Sequence, residues 1–267
     1  MKGDKVTKVI IVTGASKGIG RATATALIKA GHVVYGLSRT EPEGDYGFNY
    51  MPLDVTDHAA LERTYREIYE KEGAIDCVIN NAGWGIAGAV EETDDEAVKK
   101  IFDINLCAVE KSCRVALPYL RESKGKIINL SSVAGIMPIA FQAYYTATKA
   151  AVYSFSRALA QEVKPYGVRV TSVLPGDTRT GFTAARETTV KNGVYEERVQ
   201  RSVSRMEKDE QNGASPEKVA NVILKAFNKR NPRSAYVVGF SYKLIAFLDR
   251  ILPKRLVDYI LYKLYAK

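Results

Sequence analysis

The chain has 267 residues, 46% apolar and 26% charged, and its 39 Lys and Arg against 30 Asp and Glu leave a net charge of +9. This composition argues against a disordered or fibrous chain, and the length suits one large α/β domain or two small ones. Apolar runs such as Val9 to Val12 fall far short of the ~20 residues that cross a bilayer, and the charged start has no signal-type apolar stretch behind it, so a cytoplasmic protein is expected.

The predicted elements alternate in type along the chain. A β-branched run at Val9–Thr13 is followed by an amphipathic segment over 18–30, apolar runs over 32–37 and 48–53, a helix over 56–72 and a strand at Cys77–Asn80. The pattern continues with a helix over 94–121, strand Lys126–Leu130, helix 144–164, strand 168–174, a polar stretch over 177–215, helix Pro216–Asn228 and strand 235–238. This is a βαβ rhythm. The strands are apolar on both faces, as in a parallel sheet covered by helices on each side. Right-handed crossovers then give an α/β doubly wound sheet of about seven strands.

No linker, repeat or low-complexity tract divides the chain, so a single domain over 1–267 is expected. The stretch 177–215 lacks a strong period and suits either a mobile lid over a cleft or a solvated helical excursion. The segment 242–267 carries large apolar residues with cations between them in two helical pieces separated at Pro253. It is expected to pack on its own domain or a sister subunit, the alternative being a basic amphipathic element on a membrane surface. Its aromatic and apolar residues would also suit a substrate-entry wall for a lipophilic ketone or alcohol.

Cys77, Cys107 and Cys113 are an odd number without Cys-x-x-Cys spacing, which argues against a disulfide framework or a thiolate metal site and for reduced, buried side chains. The Lys and Arg residues are spread along the chain with no aromatic and basic platform, so no nucleic-acid binding is expected. His32 and His58 are read as structural, and Trp84 either lines a substrate mouth or caps the core. Asn129-Leu130-Ser131 matches a glycosylation sequon but lies in a buried strand.

The first strand runs into Gly14-Ala15-Ser16-Lys17-Gly18-Ile19-Gly20, where a helix begins. Glycine allows a tight turn and close backbone approach, and the free N–H groups of a helix start face an anion, for which a pyrophosphate is the natural guest. At the end of the second strand, where a carboxylate would accept from a free ribose 2′-hydroxyl, the sequence reads Ser38-Arg39. Arg39 can fork onto a phosphate and Lys17 adds a second cation. NADP is therefore expected over NAD.

Tyr145 and Lys149 are spaced i, i+4 on one helix face. An ammonium beside a phenol favours phenolate and pulls its pKa down from ~10. Upstream, Ile127-Ile128-Asn129-Leu130-Ser131-Ser132 is a strand ending in two hydroxyls, and Asn80-Asn81-Ala82-Gly83 follows another. Both sit at the carboxyl edge where open α/β sheets bind ligands.

With Thr13-Gly14-Ala15-Ser16-Lys17-Gly18-Ile19-Gly20, Asp54-Val55, Asn80-Asn81-Ala82-Gly83, Asn105, Ser132, Tyr145-x-x-x-Lys149 and Pro175-Gly176 in this order, the chain resembles a single-domain short-chain dehydrogenase/reductase over nearly its whole length. The resemblance implies a Rossmann-type fold and an NADP-dependent oxidoreductase acting on a carbonyl or secondary alcohol. Tyr145 would exchange a proton with the reacting oxygen, Ser132 would hydrogen-bond that oxygen, Lys149 would hold the nicotinamide ribose, and Asn105 would hold a water that refills the proton. Asp54 and Val55 would meet the adenine, Asn81, Ala82 and Gly83 would line the cofactor, and the Pro175-Gly176 turn would carry Thr178 and Thr180 toward the carboxamide. Asp177 and Arg179 depart from the commonest pattern, being charged where apolar residues are frequent. By resemblance a homodimer or homotetramer is expected, with helices 94–121 and 144–164 at the interface. A cofactor-binding regulatory protein without turnover and a reductase of carbon–carbon double bonds are the alternative readings.

Overall fold

Val9 and Ile11 point into one core and Ile10 and Val12 into another, so the first strand, β1 (Val9–Thr13), is buried along its whole length. That two-faced burial requires cover on both sides of the sheet. In a computed structural model, which describes residues 6–182, 185–190 and 193–267, the cover is supplied by the elements that follow. They are α1 (Gly18–Lys29), β2 (Val33–Ser38), β3 (Asn49–Pro52), α2 (His58–Glu72), β4 (Cys77–Asn80), β5 (Ile86–Ala87) and α3 (Asp95–Phe102). After a π turn at Asp103–Cys107 come α4 (Ala108–Ser123), β6 (Lys126–Leu130), α5 (Ala143–Glu162), β7 (Arg169–Leu174), β8 (Glu187–Thr188), α6 (Glu196–Gln211), α7 (Pro216–Asn228), β9 (Ala235–Val237), α8 (Phe240–Ile251) and α9 (Lys254–Tyr265).

Seven strands pair in the order β3-β2-β1-β4-β6-β7-β9, all parallel. This is the expected Rossmann-type sheet. Leu61, Tyr65 and Ile68 of α2, Cys113, Ala116 and Leu120 of α4, and Val152 and Leu159 of α5 fill one core. Ala24 and Leu27 of α1 and Val219, Ile223 and Phe227 of α7 fill the other. The chain winds outward from β1 to β3 and then returns to β4 on the opposite side of β1. The reversal opens a crevice at the carboxyl ends of β1 and β4, where ligands bind in such sheets.

The structure corrects three expectations and gives form to a fourth stretch. The helix expected over 94–121 is broken by the π turn, because Asn105 turns inward and bonds the backbone of residue 84. The helix expected over 144–164 ends at Glu162, with a 3₁₀ turn at Lys164–Tyr166. Of the three free cysteines, Cys107 is only half-buried. Within the stretch 177–215, apart from residues 183–184 and 191–192, which lie outside the described residues, the chain forms β8 against β5 and the helix α6. Val199, Val203 and Met206 are buried along one side of α6, a stripe too thin to register as periodicity among so many charges.

Candidate active site

A cleft of about 1200 Å3 runs along the carboxyl edge of the sheet. At its β1 end the backbone must turn sharply: Gly14 has φ +67°, and its N–H donates to the Leu37 carbonyl at 2.7 Å. A Cβ on Gly20 would lie 2.2 Å from the Gly14 carbonyl oxygen and 2.5 Å from Asn81 Nδ2, so only glycine lets α1 start so close to the turn. Asn81 Nδ2 donates to the carbonyls of Thr13 at 2.9 Å and Gly14 at 3.2 Å, and Thr13 Oγ1 accepts from the N–H groups of Asn81 and Ala82, each at 3.0 Å. The turns after β1 and β4 are thereby one rigid unit. Helix α1 opens without a side-chain cap and with no acidic residue in its first turn, so nothing competes with an anion at its positive end.

At the next strand end Arg39 is exposed and stands 3.9 Å from Asp54 Oδ2. Burial disfavours the Asp54 carboxylate, but the Thr56 N–H and hydroxyl at 2.9 and 2.7 Å, with Arg39 beside it, hold its pKa below the usual carboxylate range. Arg39, Lys17, Ser16, Ser38, Asp54 and Val55 border this end of the cleft. A charged, glycine-walled groove with two cations and an uncapped helix start has the donor set a dinucleotide phosphate group requires.

At the centre, α5 carries Tyr145 and Lys149 into the cleft wall. Lys149 is buried, its Nζ donates to the Leu130 carbonyl at 3.0 Å and lies 5.8 Å from the Tyr145 ring centroid. The expected lowering of the phenol does not hold in the protein alone. Burial dominates: it raises Tyr145 to about 12, against the opposing hydrogen bond with Ser132, and lowers Lys149 to about 8. A buried pair loses the hydration that both charged forms need. Tyr144, one residue earlier, points away and donates to the Val90 carbonyl. Ser131 Oγ donates to the Lys149 carbonyl at 2.7 Å, whereas Ser132 lines the cleft and caps the short turn after β6 through the Ala134 N–H.

Every residue singled out from the sequence for catalysis or cofactor binding lines this cleft, except Gly20 and Asn105, which lie behind its wall. Asn105 is fully buried in the π turn. Its Oδ1 accepts from the Trp84 N–H at 2.8 Å, and its Nδ2 donates to the Trp84 carbonyl at 2.9 Å and to Thr148 Oγ1 at 3.2 Å. A side chain at Gly83 would meet Asn105 Oδ1 at 3.4 Å and Lys149 Nζ at 3.5 Å, so that glycine separates the two. Trp84 itself is at the cleft wall, with Lys100 Nζ 4.0 Å over its ring.

The far end of the cleft holds groups that motif spacing did not reveal. Arg186 is buried and paired with Glu210, Tyr242 of α8 donates to Asp177, and Tyr265 of α9 donates to Asp209 at 3.2 Å. Burial raises Asp177 above the usual carboxylate range. The Tyr242 ring fills the space that a side chain on Gly176 would need. Leu248, Leu252, Val257 and Leu261 complete an apolar wall. Beneath the sheet edge a buried polar chain, also unforeseen, links Tyr65, Ser112, Asn80, Asn129 and Ser156 through side-chain hydrogen bonds of 2.5–2.8 Å.

A family model described as short chain dehydrogenase matches residues 8–191. The chain belongs to the short-chain dehydrogenase/reductase family. Membership makes it a nicotinamide-dependent oxidoreductase. Among short-chain dehydrogenase/reductases it is 39% identical over 264 residues to a 3-ketodihydrosphingosine reductase of Bacteroides thetaiotaomicron, covering 97% of this chain and 98% of that protein. It is 33% identical over 256 residues to a probable short-chain type dehydrogenase/reductase of Helicobacter pylori, covering 93% and 94% of the two chains. A crystal structure of a short-chain dehydrogenase from Streptomyces avermitilis superposes with a TM-score of 0.82 at 30% identity, over 98% of this chain and 97% of that one.

Proposed function

We propose that the protein reduces, with NADPH, the ketone of a long-chain 2-amino-3-oxo alcohol of the 3-ketodihydrosphingosine kind to a secondary alcohol. The observation that carries this reading is the extent of the match to the Bacteroides reductase: it spans 97% of the chain, so it includes most of the C-terminal helices that form the apolar cleft wall. A wall of leucine, valine and tyrosine suits an alkyl chain. Asp177, in contact with that wall through Tyr242, supplies a carboxylate for the substrate ammonium, which accounts for a charged residue where the family usually has an apolar one.

Lys17 and Arg39 hold the 2′-phosphate, the start of α1 holds the pyrophosphate, and Asn81, Ala82, Gly83, Pro175, Gly176, Thr178 and Thr180 flank the nicotinamide half. A bound reduced nicotinamide supplies the hydride. Tyr145 donates its phenolic proton to the carbonyl oxygen as that oxygen gains charge, and Ser132 donates a hydrogen bond to the same atom. The buried Lys149 ammonium stabilises the phenolate left behind. Asn105 acts from behind Gly83, holding residue 84 and the water through which the proton returns.

The test is to incubate the protein with NADPH and 3-ketodihydrosphingosine in detergent micelles, following nicotinamide absorbance and the product mass. One cofactor consumed per alcohol formed is expected, with Asp177→Asn raising KM for the amino ketone and not for the analogue lacking the amine. Tight NADPH binding with no turnover on this or any simpler ketone, or loss of a carbon–carbon double bond instead, would overturn the assignment.

A further inference from the structure

Ten large apolar side chains that are exposed among the described residues lie in α8 and α9. In α8 four of them form one stripe, Phe240, Leu244, Phe247 and Ile251, at i, i+4, i+7 and i+11, with Phe240 84% exposed, while the fifth, Ile245, borders the cleft. Tyr242 and Leu248 of the same helix, with Leu252 just past its end, line the cleft. Helix α9 repeats the arrangement, with Leu256, Tyr259 and Tyr262 outside and Val257 and Leu261 inside. A helix in water normally keeps a polar face outward, and a helix that is apolar both toward the body and toward the outside has apolar surroundings on both. The cleft is one of them.

The charges between the stripes indicate the other. Lys243, Arg250, Lys254, Arg255, Lys263 and Lys267 are all exposed, against two carboxylates in the two helices. One of those, Asp249, is held by Lys254 at 2.6 Å, leaving Asp258 exposed. Apolar stripes bordered by lysine and arginine complement an anionic lipid surface. No described helix is long and apolar enough to cross a bilayer, and the Tyr242–Asp177 and Tyr265–Asp209 bonds tie the pair to the protein body. We infer that α8 and α9 form a pair of interfacial helices that seats the protein on an anionic membrane with Phe240, Phe247, Ile251 and Tyr259 in the headgroup region. The docking rests on exposure and charge. Its use, entry of a long-chain substrate from the lipid into the cleft behind the two helices, rests on the reading of the site given above.

The full chain is sedimented with vesicles of equal parts phosphatidylglycerol and phosphatidylcholine, and with phosphatidylcholine vesicles alone. Binding to the first, at least about tenfold weaker to the second and weakened by salt, is expected. The variant Phe240→Ser/Phe247→Ser/Ile251→Ser/Tyr259→Ser touches no cleft residue and should lose vesicle binding while reducing micellar substrate at the unaltered rate. Lys243→Glu/Arg250→Glu/Arg255→Glu should lose only the preference for anionic vesicles. No binding by a protein that turns over micellar substrate would overturn the inference and leave the proposed reaction standing. So would vesicle-independent dimerisation, seen by light scattering and abolished by the serine variant, which would assign the stripes to a second copy. Vesicle binding without turnover would overturn the reaction and keep the docking.

Discussion

Replacing Arg39 by serine isolates the contribution of one cation to cofactor choice. Its side chain is 70% exposed and its recorded partner, the half-exposed Asp54, is 3.9 Å away. An exposed pair at that separation contributes ~0–1 kcal/mol to folding, so the thermal midpoint should hardly move. Against a 2′-phosphate the guanidinium makes charge-assisted hydrogen bonds of ~1.5–3 kcal/mol. Solvent and salt at this open rim place the value near the lower end, about 2 kcal/mol, or about 30-fold in affinity. Removal also leaves Asp54 unscreened, and Asp54 repels a phosphate but not a ribose hydroxyl, which acts in the same direction. Titrating nicotinamide fluorescence should therefore show NADPH weakened about 30-fold in Arg39→Ser and NADH changed by less than about twofold. Equal losses for both dinucleotides, or none for NADPH, would refute the phosphate assignment.

Two further outcomes follow from the central pair. Tyr145→Phe should lower the single-turnover rate of hydride transfer by ~10²–10⁴-fold with NADPH affinity retained within a few fold, and a near-normal rate would show that another acid serves. Lys149→Met should alter how stability depends on pH in the cofactor-free protein. Burial depresses the Lys149 pKa from 10.5 to about 8, so between those values the unfolded chain binds more protons than the folded one. This group therefore makes stability rise from pH 8 to 10.5. Urea midpoints measured across that window should rise less in the variant, and identical slopes would count against a buried ammonium.

Much of this molecule was legible because its motifs are local. A glycine turn between Val9–Thr13 and the following helix, or Tyr145 one turn from Lys149, is visible as spacing, and the sheet could be read from runs apolar on both faces. Burial is not written in spacing, which is why the sign of the Tyr145 shift was reversed. The polar chain from Tyr65 to Ser156 joins side chains from five elements that only the sheet order brings together. Likewise Arg186, Glu210 and the two tyrosine–aspartate bonds join segments up to 65 residues apart. The α6 stripe was hidden because its buried positions include Ser202 and its mean composition is charged.

The π turn at Asp103–Cys107 is also an angular offset. Each residue advances a helical side chain by about 100°, so winding one extra residue into the ladder rotates α4 relative to α3. With that offset Ala97 and Ile101 are the buried residues of α3, which packs on α5, while Cys113, Ala116 and Leu120 join the core shared by the sheet and α2. Deleting a single residue there would swing those three out of the core and withdraw the Asn105 carboxamide from residue 84. A helix-long packing phase and the placement of one polar group behind the reaction centre thus depend on the same count of amino acids.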